Sequence, residues 1–232
     1  MKIGILVTVI FTGIVLTSGC VNKADAGSQK KPDAESGATF SGEFLPGEWT
    51  NYNGAALGPM NSFRENSIKG MQFVDSAKYT LKVTGMVKSK LSLKYAEVTN
   101  LAAVRKLITI YCVEGWSVTV LWQGVPVKTL LKMAGAAGNP KTAIFRCADG
   151  YSTSLPLIEV LQKDMLLAYG ANGIMLPAKN GFPFILVAED KWGYKWARWI
   201  TEIELSADTN YKGYWEQRGY NNNGALSGSM YE

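Results

Sequence analysis

Strand-like and helix-like runs alternate from residue 79 to residue 205, and this interleaving constrains the fold more than any other feature of the chain. "YTLKVTG" (79–85) sets Tyr79, Leu81 and Val83 against Thr80, Lys82 and Thr84, the two-residue period of a half-buried strand. "LITIYC" (107–112) places Ile108, Ile110 and Cys112 on one face. "SVTVLW" (117–122), "TAIFRC" (142–147) and "FPFILVA" (182–188) carry the β-branched and aromatic residues that strands favour. "ARWITEIEL" (197–205) alternates Trp199, Thr201, Ile203 and Leu205 with its neighbours. Between these runs, "GVPVKTLLKMAGAAG" (124–138) reads as a helix, with Pro126 in its first turn and Val127, Leu130, Leu131 and Ala134 at helical spacing. "STSLPLIEVLQKDMLLAYG" (152–170) reads as a second helix, capped by Ser154, with Pro156 just inside and Gly170 as its stop. Two long segments, 52–66 and 214–229, carry aromatics and amides without any period. The sum is an α+β domain with loops long enough to wrap a ligand.

The fold does not use the whole chain. Lys2 precedes an uncharged apolar run (3–19), and "LTSGC" (16–20) ends it with small residues and a cysteine. This is the pattern of a lipoprotein-type signal peptide, residues 1–20, that leaves Cys20 as a lipidated N-terminus. An uncleaved anchor is the alternative, since the run is as long as a short membrane span. Either way the domain is exported and tethered to the outer face of a membrane. Residues 21–43 are rich in Ala, Gly, Ser, Lys and Asp, too poor in large apolar groups to fold, and read as a flexible tether. Without a repeat or a second linker, residues 44–232 form one domain.

Composition removes several chemistries. The chain has no histidine, which rules out His-based dyads, His zinc sites and His-ligated haem. A net charge of +5 without a polybasic run gives no reason to expect nucleic acid. Beyond Cys20, Cys112 and Cys147 are the remaining cysteines. They could form a disulfide in an exported domain. A nucleophilic Cys112 would lack a histidine base, and a zinc site would lack ligands. A thiolate on a metal whose other ligands come from a cofactor also stays open.

In "EDKWGYKWARWI" (189–200), Lys191, Lys195 and Arg198 surround Gly193, a set able to hold a phosphate, or else a solvated basic edge. Asn172-Gly173 and Asn180-Gly181 are turn dipeptides, and the second could present Asn180 to a ligand. Asp149-Gly150 is another turn signal, with Tyr151, Ser152 and Ser154 positioned either to face a pocket or to cap a helix.

Taken in order, "CVEGWS" (112–117), "ADGYSTSLPL" (148–157), "LPAKNGFPFILV" (176–187), "KWGYKWARWI" (191–200) and "YKGYWEQRGY" (211–220) resemble the motifs of the sulfite oxidase family of molybdopterin-binding domains. The resemblance spans roughly residues 60 to 220. The cysteine motif is most similar to that of the periplasmic protein-methionine-sulfoxide reductase catalytic subunits, which also carry Glu two and Trp four residues after the cysteine. The resemblance implies a sulfite oxidase-type fold of mixed sheets with short helices, built around molybdenum held by a pyranopterin dithiolene. It implies Cys112 as the molybdenum ligand, with Glu114 and Trp116 near the metal's open side. Asn180, Gly181, Lys191, Gly193, Lys195 and Arg198 would then hold the pterin and its phosphate end, and Asn61 and Arg64 would match an early cofactor-contacting segment.

Two departures from the family refine the expectation. Sulfite oxidases place arginines close to the cysteine motif, whereas no Arg or Lys falls within ten residues after Cys112, and Glu114 would repel a dianion. The absence of histidine leaves no haem domain, so electrons must pass to or from a separate partner, membrane-bound or soluble. The expected activity is two-electron oxygen-atom transfer on a small or protein-bound sulfoxide or related S- or N-oxide. Sulfite oxidation, or a scaffold that binds cofactor without turnover, are the alternatives.

Overall fold

The computed structural model describes residues 42–232, so the apolar run, Cys20 and nearly all of the tether lie outside the described residues. The strands are β1 (Asn51–Tyr52), β2 (Ala55–Ala56), β3 (Thr80–Gly85), β4 (Leu91–Lys94), β5 (Val104–Tyr111), β6 (Ser117–Pro126), β7 (Thr142–Cys147), β8 (Ser152–Pro156), β9 (Leu166–Ala171), β10 (Ile174–Met175), β11 (Ile185–Val187) and β12 (Ile200–Ser206). The helices are α1 (Tyr95–Thr99), α2 (Val127–Ala134) and α3 (Leu157–Gln162). This is the expected α+β class with short helices.

Two five-stranded sheets carry the domain. In one, β6 lies between β5 and β9, while β10 and β11 pair with the opposite edge of β9. A strand paired on both sides and covered on both faces reads as a continuous apolar run, and β6 is accordingly buried at seven of its ten positions. In the other, the order is β4-β3-β12-β7-β8, with β12 parallel to β3 and antiparallel to β7, so the sheet is mixed. One apolar core draws on both sheets: Leu81 and Val83, Val120 and Trp122, Phe145, Leu166 and Leu167, Ile203 and Leu205. Helix α2 adds Val127, Leu130, Leu131 and Ala134, the face its spacing predicts. Gly124 sits at an irregularity in the β6–β9 register, where a Cβ would lie 2.3 Å from Leu167 O, so no larger residue fits.

Two expected elements differ. The long helix over 152–170 is a strand, a six-residue helix and another strand. Ser154 is inside β8 and Gly170 inside β9, and the chain turns between α3 and β9 at Asp164, whose φ is 50°. The strand over 182–188 pairs only at Ile185–Val187, because Pro183 has no N–H to give a ladder.

Asn172-Gly173 is the β9–β10 turn, with φ of 48° and 82°. Asn172 is fully buried and serves structure. Its Oδ1 accepts from Leu121 N–H (2.9 Å), and its Nδ2 donates to Glu48 Oε1 (2.8 Å) and Gly58 O (3.0 Å). Asn172→Ala would orphan these buried groups and is expected to cost on the order of 3 kcal/mol, read as a lowered urea midpoint. An unchanged midpoint would contradict this role.

Candidate active site

Cys112 lies where the β5–β6 hairpin turns. The strands pair as far as Tyr111↔Ser117, which leaves residues 112–116 as the loop. Cys112 N–H donates to Trp116 O (2.9 Å), Gly115 N–H donates to Cys112 O (3.1 Å), and Gly115 takes a φ of 84°, which favours glycine. Trp116 turns inward, packs edge-on against Phe63 (5.6 Å), and donates from Nε1 to Glu114 Oε2 at 3.0 Å. The indole therefore fixes the Glu114 carboxylate and does not itself line the cleft.

Cys112, Val113 and Glu114 open onto a cleft holding about 710 Å³ of empty space, part of it continuous with solvent. Its other walls come from Asn66, Ser67 and Ile68, from Asp149 and Tyr151 of the β7–β8 turn, from Gly193, Tyr194, Trp196, Arg198 and Trp199, and from Trp215 and Tyr220. Four of the expected site residues thus meet here: Cys112, Glu114, Gly193 and Arg198.

Gly193 opens a short 3-10 turn, Gly193–Lys195, that runs beside the end of β5 through the Tyr111–Trp192 bridge. A Cβ on Gly193 would stand 3.2 Å from Tyr111 O and 3.4 Å from Cys112 Cα. Its absence lets this turn press against the cysteine. Arg198 donates to Lys179 O (3.2 Å) and Asn66 Oδ1 (2.7 Å), with Glu65 at 3.9 Å and the Trp199 ring beneath it at 4.6 Å. Burial pulls its affinity for a proton below the usual arginine value, against the opposing charges of Glu65 and Asp149.

Other expected site residues act at one remove or elsewhere. Gly181, at φ 111°, leaves room for the Arg198 side chain, since a Cβ there would lie 2.9 Å from Arg198 Cβ. Asn180 is buried and donates to Met60 O (3.1 Å). Lys191 is buried against Glu159 Oε2 (2.6 Å) and Asn223 (2.9 Å to O and to Oδ1). Lys195 is fully buried, donating to Glu216 Oε1 (2.5 Å) and Ser154 O (2.9 Å). Neither lysine lines the cleft, so the expected phosphate-holding set is reduced to Arg198. Asn61 and Arg64 are exposed outside the cleft, which takes Asn66, Ser67 and Ile68 from the same segment instead.

Asp149, Trp196 and Trp199 are among the lining residues that were not singled out as site residues from the sequence. Their signal was the crowding of aromatics around the basic residues in 189–200, and the Asp149-Gly150 turn that brings Tyr151 to the site as one of its two readings.

The donor set suits a metal completed by a cofactor. Cys112 and Cys147 are both free and buried, so the disulfide between them is not formed. Burial pushes the Cys112 thiol up to about 11; backbone N–H groups of Glu114 and Val113 and the Arg198 charge pull it down, and the Glu114 charge raises it. Among the described residues no three His, Cys, Asp or Glu side chains converge on one point. A metal at Cys112 would need soft ligands from outside the chain, which a dithiolene supplies. The buried Ser67 Oγ, without a hydrogen-bond partner among the described residues, and the cradle left by Gly193 fit a polar group seated against the cysteine.

Comparison with known proteins agrees with the cleft. A family model described as an oxidoreductase molybdopterin binding domain matches residues 68–215. The chain is 37% identical over 148 residues to a putative protein-methionine-sulfoxide reductase subunit, YedZ1, of Azospira oryzae, covering 64% of this chain and 56% of that protein. It is 32% identical over 153 residues to the uncharacterized oxidoreductase YuiH of Bacillus subtilis, covering 66% and 77%. It is 34% identical over 145 residues to the protein-methionine-sulfoxide reductase catalytic subunit MsrP of Gluconobacter oxydans, covering 55% and 46%. The match thus spans about half the length of the two relatives named as sulfoxide reductases. The fold is shared with the sulfane dehydrogenase SoxCD of Paracoccus pantotrophus, at a TM-score of 0.58 and 21% identity, over 71% of this chain and 45% of that one. With a cysteine in a cleft most of whose lining falls within the residues that the family model matches, the chain belongs to the molybdopterin-binding oxidoreductases of the sulfite oxidase type.

Proposed function

We propose that this oxidoreductase is exported, tethered through Cys20, and reduces a sulfoxide or related S- or N-oxide with electrons from a separate partner. The net reaction takes two electrons and two protons, breaks the S–O bond, and yields a thioether and water. A bound molybdenum–pyranopterin group supplies the two-electron oxygen-atom chemistry, and the protein supplies orientation and electrostatics. Cys112 would ligate the metal, Arg198 with Asn66 and Ser67 would hold the polar end of the pterin, and Gly193 would let the group sit close. Trp116 keeps Glu114 directed at the cleft.

The observation that carries the substrate class is the charge of the lining. Glu114 and Asp149 face the cleft, and among the described lining residues Arg198 is the one cation, already engaged by Asn66 and near Glu65. A dianion such as sulfite would meet net repulsion. A neutral, dipolar sulfoxide is free of that penalty, and aromatic walls suit its methyl groups and the thioether product. Two relatives named as protein-methionine-sulfoxide reductase subunits support the same class, and the word subunit in their names accords with a separate electron partner. Among the described residues no helix is long and apolar enough to cross a membrane.

The test is a paired assay of protein made in a molybdopterin-competent host. With reduced viologen as donor, methionine sulfoxide should be reduced. With ferricyanide as acceptor, sulfite should be oxidised far more slowly. Sulfite turnover matching sulfoxide turnover would overturn the reading, and bound cofactor without turnover of either would favour a scaffold.

A further inference from the structure

The family match ends at residue 215, yet the chain continues back across the cleft. Residues 216–232 return past the 3-10 turn that presses on Cys112, and they carry Tyr220 into the cleft lining beside Trp215. The Tyr220 ring stands 5.3 Å from Trp215, 5.0 Å from Tyr194 and, on its outer side, 5.0 Å from Tyr231. It lines the same cleft as Cys112 and Glu114.

This segment is fastened at buried points. Glu216, 1% exposed, takes the Lys195 ammonium and the Thr153 hydroxyl. Asn223 takes the Lys191 ammonium, and Trp192 N–H donates to Gly224 O. Leu226 and Met230 are buried with Trp192 and Tyr194. A Cβ on Gly224 would lie 2.6 Å from Lys195 Cγ, so the strap lies directly on the lysine. The two lysines expected to hold a phosphate instead hold this strap in place.

A wall anchored on both sides of Tyr220 resists displacement by a larger ligand, and such a wall selects by size. We infer that Tyr220 is a specificity-determining residue that limits the substituents on sulfur admitted to the Cys112 centre. The inference rests on the sulfoxide reading above. Small methyl groups fit against the rings of Tyr220 and Trp215, where sulfur–aromatic contact is favourable. Aryl groups on both sides of the sulfur meet the Tyr220 ring, behind which lies the half-exposed Tyr231.

The experiment compares dimethyl sulfoxide with diphenyl sulfoxide in wild-type holoenzyme and in Tyr220→Ala. Both kcat/KM and equilibrium binding are read, the latter from tryptophan fluorescence with no reductant supplied. The diphenyl-to-dimethyl ratio should rise by about 10-fold or more in Tyr220→Ala, the scale on which apolar pockets discriminate. Tyr220→Phe should restore the wild-type ratio. If Tyr220→Ala does not fold, Tyr220→Leu, which removes the ring and keeps apolar bulk, gives the same reading. An unchanged ratio in turnover and in binding overturns the inference. A wild-type enzyme that reduces neither compound nor methionine sulfoxide overturns the sulfoxide reading instead, and the binding ratio then still decides the role of Tyr220.

Discussion

Cys112→Ala is expected to reduce oxygen-atom transfer by more than about 100-fold, because loss of groups that merely support a metal ligand already costs about 10- to 100-fold. The side chain is small and lies at the cleft floor, 6% exposed, in a loop whose turn is fixed by backbone hydrogen bonds. Alanine keeps those bonds and removes only the sulfur. The variant should therefore fold, keep its melting temperature within a few degrees, and lose turnover. Steady-state kinetics beside a thermal melt checks both halves. A variant that folds and retains near-wild-type turnover would sink the role of Cys112 as the metal's protein ligand.

The second large effect concerns stability. Glu216→Leu should destabilise the domain by about 3–5 kcal/mol, since it strands the Lys195 ammonium in a site with no access to solvent. That is a large share of the roughly 5–15 kcal/mol that holds a typical domain together. Burial lowers the proton affinity of Lys195, and the Glu216 charge and hydrogen bond oppose that shift, so the carboxylate is what keeps the ammonium tolerable. Removing both charges in Lys195→Met/Glu216→Leu should recover much of the loss, because two apolar groups of similar size leave nothing charged to desolvate. Guanidinium denaturation of the three proteins gives the comparison. A double variant no more stable than Glu216→Leu would show that the pair is held by packing and not by its charges.

The parts of the fold legible in the sequence are those fixed by local pattern. β7 matches its expected bounds, and α2 buries the four residues its spacing singles out. The run 152–170 misled because "LPLIEVLQKDMLLAYG" suits a buried strand as well as an apolar helix. Non-local pairing decided the matter: β9 is held by β6 on one edge and by β10 and β11 on the other, a gain invisible within the run itself. The site divides in the same way. Cys112, Glu114 and Gly193 were legible through the likeness of their motifs to those of the family, and all three line the cleft. The partners of Lys191 and Lys195 were not, because Asn223 and Glu216 lie 32 and 21 residues away along the chain. A basic residue awaiting a phosphate and one already neutralised by a distant carboxylate look alike in sequence. Trp116 shows a milder version: its position two residues after Glu114 was plain, but packing against Phe63 turned it from the cleft to the support of that carboxylate.

The central claim, that Cys112 holds a molybdenum cofactor in this cleft, is most directly tested by X-ray absorption at the molybdenum edge on wild type and Cys112→Ala prepared in parallel. The account predicts bound molybdenum in the wild type and one sulfur scatterer fewer at whatever metal the variant retains. Wild-type protein without molybdenum, or the same sulfur count in both, would contradict it.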